Sequence, residues 1–385
     1  MSLKQQLDYL FNPRSVAVIG ASNNMVKWGF NILNVLVTKG GRQVYAVNKN
    51  EPEVQGLTAY ATVADVPGPV EVAVITVPYL DVPAAIEDCV RKGVKVAVII
   101  SGGLAETGGE GASIEKQAVE IARRGGVRLV GPNCMGHFDT SSNIFTVPYL
   151  PPVQKGCLAF ITQSGNASQS VVAQASEVGL GFSKYVSSGN EADLHLEDYI
   201  EYLAQDDNTR VIIGYVEGIR NGRRFLEVAR ETTKSKPIVV VKAGRTEGGA
   251  RAARSHTASL AGSDLTCDAA FRQCGVIRVD ETAELVDVAQ VLLGQPLPRG
   301  RSVGVLSTGG GAAVMGADAL MSCGLELPAL SPTTMERLNS ILPRRWSHNN
   351  PVENGGSRST MRASGRCKRM RTSMPPWRSA LLPRT

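Results

Sequence analysis

Short runs of valine and isoleucine alternate with helical patterns along the first 145 residues. A helix begins at Trp28, and buried strands are predicted at Ser15–Ile19, Val44–Val47, Val72–Val77, Val94–Ile100 and Val127–Val130. Apolar strands separated by amphipathic helices are typical of a parallel sheet that carries helices on both faces. The pattern therefore predicts an α/β domain with a parallel sheet over residues 1–145.

The same alternation restarts after residue 150. Its predicted strands and last helix are, in order, Gly156–Thr162, Phe182–Val186, Arg210–Tyr215, Pro237–Val241 and Thr282–Leu293. We expect a second parallel α/β domain over residues 150–293.

A proline- and glycine-rich segment, residues 294–301, is predicted to be a linker. The next unit opens with a strand at Ser302–Leu306, followed by a glycine turn and a helix through Leu320. The pattern stops at Asn354 after too few strands to close a sheet. Residues 302–354 are therefore expected to be a truncated domain.

Charge is distributed unevenly along the 385 residues, whose net charge is +6. Residues 355–385 hold eight basic residues and no acidic one, so the rest of the chain carries a net charge of −2. A body without basic excess argues against a nucleic-acid-binding protein. Three interpretations of the tail stay open: a basic arm for RNA or membrane, a disordered terminus, and translation out of frame. The abrupt loss of pattern inside a domain favours the third.

The N-terminal residues lack a signal-peptide pattern, and no apolar stretch reaches membrane-spanning length. We therefore expect a cytoplasmic protein without membrane contact. The seven cysteines are scattered, with no C-x-x-C pair and no histidine cluster at ligand spacing. We expect reduced thiols and no metal site, with Cys134 packed in the interior rather than acting as a nucleophile.

The turn after the first strand, GASNNMVKWG, departs from the dinucleotide-binding fingerprint. It lacks the G-x-G-x-x-G spacing, and the second strand ends at Asn48-Lys49 instead of at an acidic residue. A lysine there suits the 3′-phosphate of coenzyme A, while Ser22 and the helix N-terminus can hold a pyrophosphate. A turn that serves only the sheet stays open as the alternative.

Residues 244–264 place one histidine, His256, among small residues and three arginines, Arg245, Arg251 and Arg254. Small residues let backbone approach a ligand, arginines suit phosphate oxygens, and a neutral imidazole can accept a phosphoryl group. The segment is therefore either a phosphorylated-histidine loop or a mobile surface loop with an exposed histidine.

Two further motifs follow apolar strands of the second domain. Ser164, Gly165 and Asn166 lie between a strand and a helix, where backbone N–H groups and the helix dipole form an anion site. Glu217 follows the strand that begins near Arg210. A carboxylate there is either solvated or hydrogen-bonded to an imidazole, whose tautomer it then fixes.

These segments together resemble the NDP-forming acyl-CoA synthetases, a family that includes ADP-forming acetate–CoA ligase and, more distantly, the succinyl-CoA synthetase alpha subunit. The resemblance rests on SVAVIGAS (15–22), AVITVP (73–78), ISGGLAETGGEG (100–111), GPNCMG (131–136) and the histidine loop. It implies an N-terminal Rossmann-like CoA-binding domain followed by flavodoxin-like domains of the succinyl-CoA-synthetase type. The implied CoA contacts are Gly20, Ser22, Lys49, Val77, Pro78 and Asn133. The family's proline after the second strand is replaced by Asn48-Lys49-Asn50.

The resemblance also implies a chemistry. His256 would carry the phosphoryl group, Glu217 would orient the imidazole, and Ser164, Gly165 and Asn166 would face the phosphoryl group. Acyl-CoA, ADP and phosphate would be interconverted with a small carboxylic acid, CoA and ATP. In the family loop SSGNEADL, residues 187–194, no role could be assigned to Glu191 or Asp193.

No G-x-x-x-x-G-K-[ST] loop occurs in the sequence. The resemblance implies that ATP or ADP and Mg²⁺ bind to an ATP-grasp beta subunit or to a missing C-terminal domain, and an oligomer is expected. The alternative function is a CoA-binding regulatory or scaffolding module without independent turnover. A dehydrogenase is disfavoured by the Asn48-Lys49-Asn50 strand ending.

Overall fold

The computed structural model describes residues 2–246, 248–249, 264–295 and 300–353. The described residues divide into two compact units, of which the first ends at Gln295. The first unit holds two seven-stranded sheets, and the second unit holds a small two-stranded sheet. The basic tail, residues 355–385, lies outside the described residues.

The first sheet has the strand order β3-β4-β2-β1-β5-β6-β7, and all its pairs are parallel except β3 with β4. Its strands are β1 (Ser15–Ile19), β2 (Gln43–Val47), β3 (Glu53–Val54), β4 (Leu57–Tyr60), β5 (Val72–Ile75), β6 (Val96–Ile99) and β7 (Arg128–Val130). Its helices are α1 (Leu3–Phe11), α2 (Trp28–Lys39), α3 (Val82–Lys92) and α4 (Gly109–Gly125). The predicted parallel α/β domain is confirmed.

The second sheet has the order β14-β13-β12-β10-β11-β8-β9. Its strands are β8 (His137–Asp139), β9 (Ile144–Phe145), β10 (Lys155–Thr162), β11 (Phe182–Ser187), β12 (Val211–Val216), β13 (Ile238–Lys242) and β14 (Ile277–Val279). Its helices are α5 (Gly165–Glu177), α6 (Leu196–Ala204), α7 (Gly222–Thr232), α8 (Asp264–Cys274) and α9 (Thr282–Gly294). Only β8 and β9 are antiparallel to their neighbours.

The strands β8 and β9 hydrogen-bond in the second sheet although they lie within residues 1–145. The change from one sheet to the next therefore comes before His137. One continuous apolar cluster reaches from α1 and β1 to β10 and α6, so the two sheets of this unit share core residues. The domain boundaries given above stay predictions.

The second unit contains α10 (Gly310–Ser322) and α11 (Pro332–Asn339), with β15 (Leu306–Ser307) parallel to β16 (Val352–Glu353). The predicted strand Ser302–Leu306 is wrong in its bounds, since the ladder begins only at Leu306. Asn350 explains the difference: its side chain accepts from the backbone N–H of Val305 and donates to the carbonyl of Val303. These bonds satisfy backbone groups that a longer ladder would otherwise pair.

Candidate functional site

The six predicted CoA contacts lie at or near the carboxyl edge of the first sheet. Gly20 follows β1, Lys49 follows β2, Val77 and Pro78 follow β5, and Asn133 follows β7. Hydrogen bonds tie this edge together: Ser101 Oγ donates to the carbonyl of Val77 at 2.5 Å, and the N–H of Asn133 donates to the carbonyl of Ser101 at 3.0 Å. The carboxyl edge of a parallel sheet is where ligands bind in open α/β folds.

Two glycines shape the turn between β1 and α2. Gly20 has φ +91°, and a Cβ there would come within 2.7 Å of Thr76 Oγ1. A Cβ on Gly29 would meet the carbonyl oxygen of Gly20 at 1.9 Å. The spacing of these glycines differs from G-x-G-x-x-G, yet they serve the same physical purpose of bringing the helix close to the strand end.

Lys49 is poorly anchored compared with its neighbour Asn48. The Asn48 side chain donates to the carbonyl of Ala21 at 2.7 Å and accepts from the N–H of Asn50 at 2.7 Å, which fixes the turn after β2. The Lys49 side chain is 72% exposed, and its Nζ lies 3.9 Å from the Asp81 carboxylate. Ser22 is buried, and its Oγ accepts from the N–H of Asn24 at 3.1 Å. Lys49 is therefore free to reach a phosphate.

Ser164, Gly165 and Asn166, the predicted anion site, lie at the N-terminus of α5, which follows β10. Ser164 is the N-cap of α5, and its Oγ accepts from the N–H of Ala167 at 3.4 Å. A Cβ on Gly165 would lie 2.4 Å from Met135 Sδ, so glycine allows the GPNCMG loop to pack onto this turn. The N-terminus of α5 and the GPNCMG loop at the carboxyl edge of the first sheet are thus brought together.

Glu217 is held at the end of β12 by a glutamine that the sequence did not single out. Gln163 Oε1 accepts from the N–H groups of Glu217 at 2.6 Å and Gly218 at 3.0 Å, and Gln163 Nε2 donates to the carbonyl of Gly218 at 2.8 Å. The ammonium of Lys242 donates to the carbonyl of Glu217 at 2.8 Å and also to that of Ala243. Burial lowers the pKa of Lys242. Glu217 is buried, and its backbone is therefore fixed beside the start of the predicted histidine loop, residues 244–264.

The predicted nucleophile His256 lies outside the described residues, as do Arg251 and Arg254. Arg245, at the start of the same loop, forms an ion pair with Asp280. The placement of His256 relative to Glu217 and Ser164 thus stays a prediction.

The loop of residues 187–194 connects the end of β11 in the second sheet with the GPNCMG loop at the carboxyl edge of the first sheet. The N–H of Asn190 donates to the carbonyl of Pro132 at 2.9 Å, and that of Ala192 donates to the carbonyl of Gly131 at 3.0 Å. Asp193, to which the sequence assigned no role, accepts from Arg128 Nε at 2.7 Å. Its role is structural, because this ion pair fastens the loop to β7.

Glu191, in the same loop, is buried and has φ +53°. Burial raises its pKa to about 7, and hydrogen bonding by Gln163 and Ser188, together with the charge of His195, offsets only part of this effect. Ser188 Oγ donates to Glu191 Oε1 at 2.8 Å. Burial therefore favours the neutral form of this carboxyl group.

Cys134 lies in the GPNCMG loop and is buried. Burial raises the pKa of its thiol to about 12, and Sγ donates to the carbonyl of Ile99 at 3.3 Å. A neutral, hydrogen-bonded thiol is a packing residue and a poor nucleophile.

Two family models match the two sheets of the first unit. Residues 14–138 match a CoA binding domain, and residues 155–292 match a succinyl-CoA ligase like flavodoxin domain. The alpha subunit of ADP-forming acetate–CoA ligase II from Pyrococcus furiosus is 45% identical over 347 residues, which cover 90% of this chain and 76% of the relative. The chain belongs to the family of ADP-forming acetate–CoA ligases.

Other family members are longer. ADP-forming acetate–CoA ligase I of Archaeoglobus fulgidus is 43% identical over 93% of this chain, which spans 52% of that relative's length. The dinucleotide forming acetyl-coenzyme A synthetase 1 of Ca. Korarchaeum cryptofilum, solved with phosphate and ADP, superimposes with a TM-score of 0.86 at 38% identity. The match covers 91% of this chain and 76% of that one.

The described residues contain neither a membrane span nor a metal-ligand cluster. None of their helices is long and apolar enough to span a membrane. None of their His, Cys, Asp and Glu side chains form a group of three that could hold a metal ion.

Proposed function

We propose that this chain is the alpha portion of an ADP-forming acyl-CoA synthetase of the acetate–CoA type. It would interconvert acyl-CoA, ADP and phosphate with a carboxylic acid, CoA and ATP. The observation that carries the proposal is the junction of two edges: the Met135 loop of the CoA-binding sheet packs directly on Gly165, at the N-terminus of α5. A thioester held at the first edge would lie beside an anion site at the second.

The first chemical step joins phosphate to the acyl group. A phosphate oxygen attacks the thioester carbonyl, the C–S bond breaks, and CoA leaves as a thiolate that takes up a proton. The N–H groups at the start of α5 and the Ser164 cap would stabilise the negative phosphoryl oxygens. The product is an acyl phosphate at the junction.

The second step moves the phosphoryl group to His256. An imidazole nitrogen attacks phosphorus, and the carboxylate leaves. Glu217 would hold the other imidazole nitrogen as a donor, which fixes the tautomer and stabilises the imidazolium-like product. Gln163 and Lys242 hold the backbone of Glu217 in place for this role.

The nucleotide step belongs to a partner. ATP or ADP with Mg²⁺ would bind to an ATP-grasp beta subunit or a fused domain, and we expect the reaction to take place in the cytoplasm. The second candidate function is CoA binding without turnover. It would be favoured if the chain bound CoA but failed to phosphorylate His256.

The test uses the full chain with acetyl-CoA and ³²P-labelled inorganic phosphate, since these steps need no nucleotide. We expect an acid-labile, base-stable label on His256 that is lost in His256→Asn. Glu217→Gln should slow labelling by about ten- to ten-thousand-fold, the range for a positioned acid–base partner. A label that persists in His256→Asn would refute the assignment of the nucleophile.

A further inference from the structure

Asn190, which follows β11 of the second sheet, hydrogen-bonds through its side chain to two carboxylates that follow β6 of the first sheet. Asn190, which is 2% exposed, donates from Nδ2 to Glu106 Oε2 at 2.6 Å and to Glu115 Oε2 at 2.9 Å. Glu106 follows the turn after β6, and Glu115 lies in α4. Both hydrogens of one amide are therefore used to bind two carboxyl groups on the segments that follow β6 of the first sheet.

The remaining polar groups of Asn190 are used in the same way. Its Oδ1 accepts from Asn133 Nδ2 at 3.4 Å, and its N–H donates to the carbonyl of Pro132 at 2.9 Å. Its carbonyl accepts from the guanidinium of Arg220, three residues beyond Glu217. Asn190 thus contacts the proposed CoA edge through Asn133, and through Arg220 it contacts the segment that follows Glu217.

The two carboxylates shape the loop that Asn190 holds. Glu106 Oε1 accepts from the N–H groups of Gly103 and Leu104, and Glu115 Oε2 accepts from that of Ala105 at 3.2 Å. Burial raises the pKa of Glu115, and the hydrogen bond from Asn190 is the largest influence that lowers it again. A substitution of Asn190 would therefore disturb the hydrogen bonds that Glu106 and Glu115 make to the backbone of residues 103–105.

We propose that Asn190 is a positioning residue. It holds the loop 101–111 of the CoA-binding sheet in a fixed position relative to the proposed phosphoryl site at Ser164 and Glu217. The inference rests on the proposed function. A reacting group displaced by about 1 Å can lose about 10²-fold in rate. Asn190 acts on the acyl-CoA step because its side-chain hydrogen bonds go to Glu106, Glu115 and Asn133, whereas only its backbone carbonyl contacts Arg220. Phosphoryl transfer from a ready-made acyl phosphate does not need those loops.

The test compares two ways of labelling His256 in the full chain. One uses acetyl-CoA with labelled phosphate, and the other uses labelled acetyl phosphate without CoA. In Asn190→Asp a third carboxylate faces Glu106 and Glu115, and like charges repel. We expect labelling from acetyl-CoA to fall about 10²-fold with a raised KM. Labelling from acetyl phosphate should stay within about twofold.

A second substitution supplies the rescue. In Asn190→Asp with Glu115→Gln, the new amide at 115 can donate to the new carboxylate at 190, and at least about tenfold of the lost rate should return. The matched control pairs Asn190→Asp with Glu197→Gln, which neutralises another buried carboxyl that makes no hydrogen bond to Asn190. This control should not rescue.

A readout without catalysis separates the two proposals. If the unmodified chain is not labelled by either donor, the proposed function fails, and hydrogen exchange of the Leu104 and Ala105 amides still tests Asn190. Asn190→Asp should speed this exchange, and the Glu115→Gln partner should slow it again. Equal loss of labelling from both donors, absence of rescue, or unchanged exchange would each overturn the role of Asn190.

Discussion

Lys49 is the residue on which the choice of CoA over nicotinamide cofactors depends. Its ion pair with Asp81 is exposed, and such pairs contribute little to stability. The ammonium can therefore leave Asp81 for a phosphate at small cost.

We expect the chain to bind CoA more tightly than dephospho-CoA by about 1.5–3 kcal/mol, because only CoA offers Lys49 a charge-assisted bond to the 3′-phosphate. In Lys49→Gln the two ligands should bind equally in calorimetry. Lys95→Gln, which removes a lysine next to the amino end of β6, is the matched control and should keep the preference. Equal affinity of the unmodified chain for both ligands would remove Lys49 from the site.

From the raised pKa of Glu191 we predict that the free energy of unfolding of the chain depends on pH. Its pKa is raised to about 7 in the folded chain from an ordinary 4.5, with Glu197 adding to the effect of burial and His195 opposing it. The folded state then holds this proton more tightly than the unfolded state, so stability falls as pH rises from about 4.5 to 7 and levels off above.

Glu191→Gln removes this titration, since an amide stays neutral. Relative to the unmodified chain, its free energy of unfolding in urea should rise between pH 5 and pH 8 by on the order of 1–3 kcal/mol. A difference that is the same at both pH values would show that Glu191 does not titrate in this range.

At the residue scale, the sequence indicated distinctive groups near the carboxyl ends of apolar strands: Glu217 comes directly after β12, and Ser164 comes two residues after β10. Ser164 and Glu217 could be predicted because the end of a parallel strand is a recognisable place and their chemistry is distinctive. Gln163 and Asn190 were missed because an amide becomes important only through partners that are distant in sequence. The one available signal for Gln163 was the sequence Gln163-Ser164-Gly165 at the start of α5.

At the scale of elements, a buried ion cluster fastens the antiparallel strand β8 to the parallel strand β11. Lys184, which is 3% exposed, lies 2.9 Å from an oxygen of Asp139 and 2.8 Å from one of Asp206. Burial by itself raises the pKa of Asp206, but the hydrogen bond and charge of Lys184 reverse this and lower it. Both carboxylates therefore share the Lys184 ammonium as an ion-pair partner.

Lys184→Met should destabilise the chain by about 3–5 kcal/mol in urea unfolding, because the buried carboxylate of Asp139 and the partly buried one of Asp206 lose their shared partner. The matched control is Lys234→Met, since Lys234 forms an exposed pair with Glu231 and its loss should cost less than about 1 kcal/mol. Equal effects of the two substitutions would contradict the role given to the cluster.

The same elements show how far pattern alone reaches. Strands β1, β5 and β6 were predicted because a strand buried on both faces is almost wholly valine, isoleucine and alanine. β8 and β9 were not predicted, since His137 and Asp139 break the apolar run and are accommodated only by partners such as Thr146 and Lys184. Short strands of this kind take their conformation from the sheet that they join.

At the scale of the molecule, we propose that one reaction is divided between this chain and an ATP-grasp partner. The chain covers 76% of the Pyrococcus furiosus alpha subunit and 52% of the longer Archaeoglobus fulgidus enzyme. We infer that thioester cleavage and phosphorylation of His256 belong to this chain and that transfer to ADP needs the partner.

A pulse and chase tests this division most directly. The chain is labelled with acetyl-CoA and ³²P-phosphate, freed of both, and then given ADP and Mg²⁺ with or without an ATP-grasp beta chain from a relative. We expect a stable label on His256 with ADP alone and its recovery as [γ-³²P]ATP once the beta chain is added. Transfer to ADP without the beta chain, or a label that never forms on His256, would contradict this division.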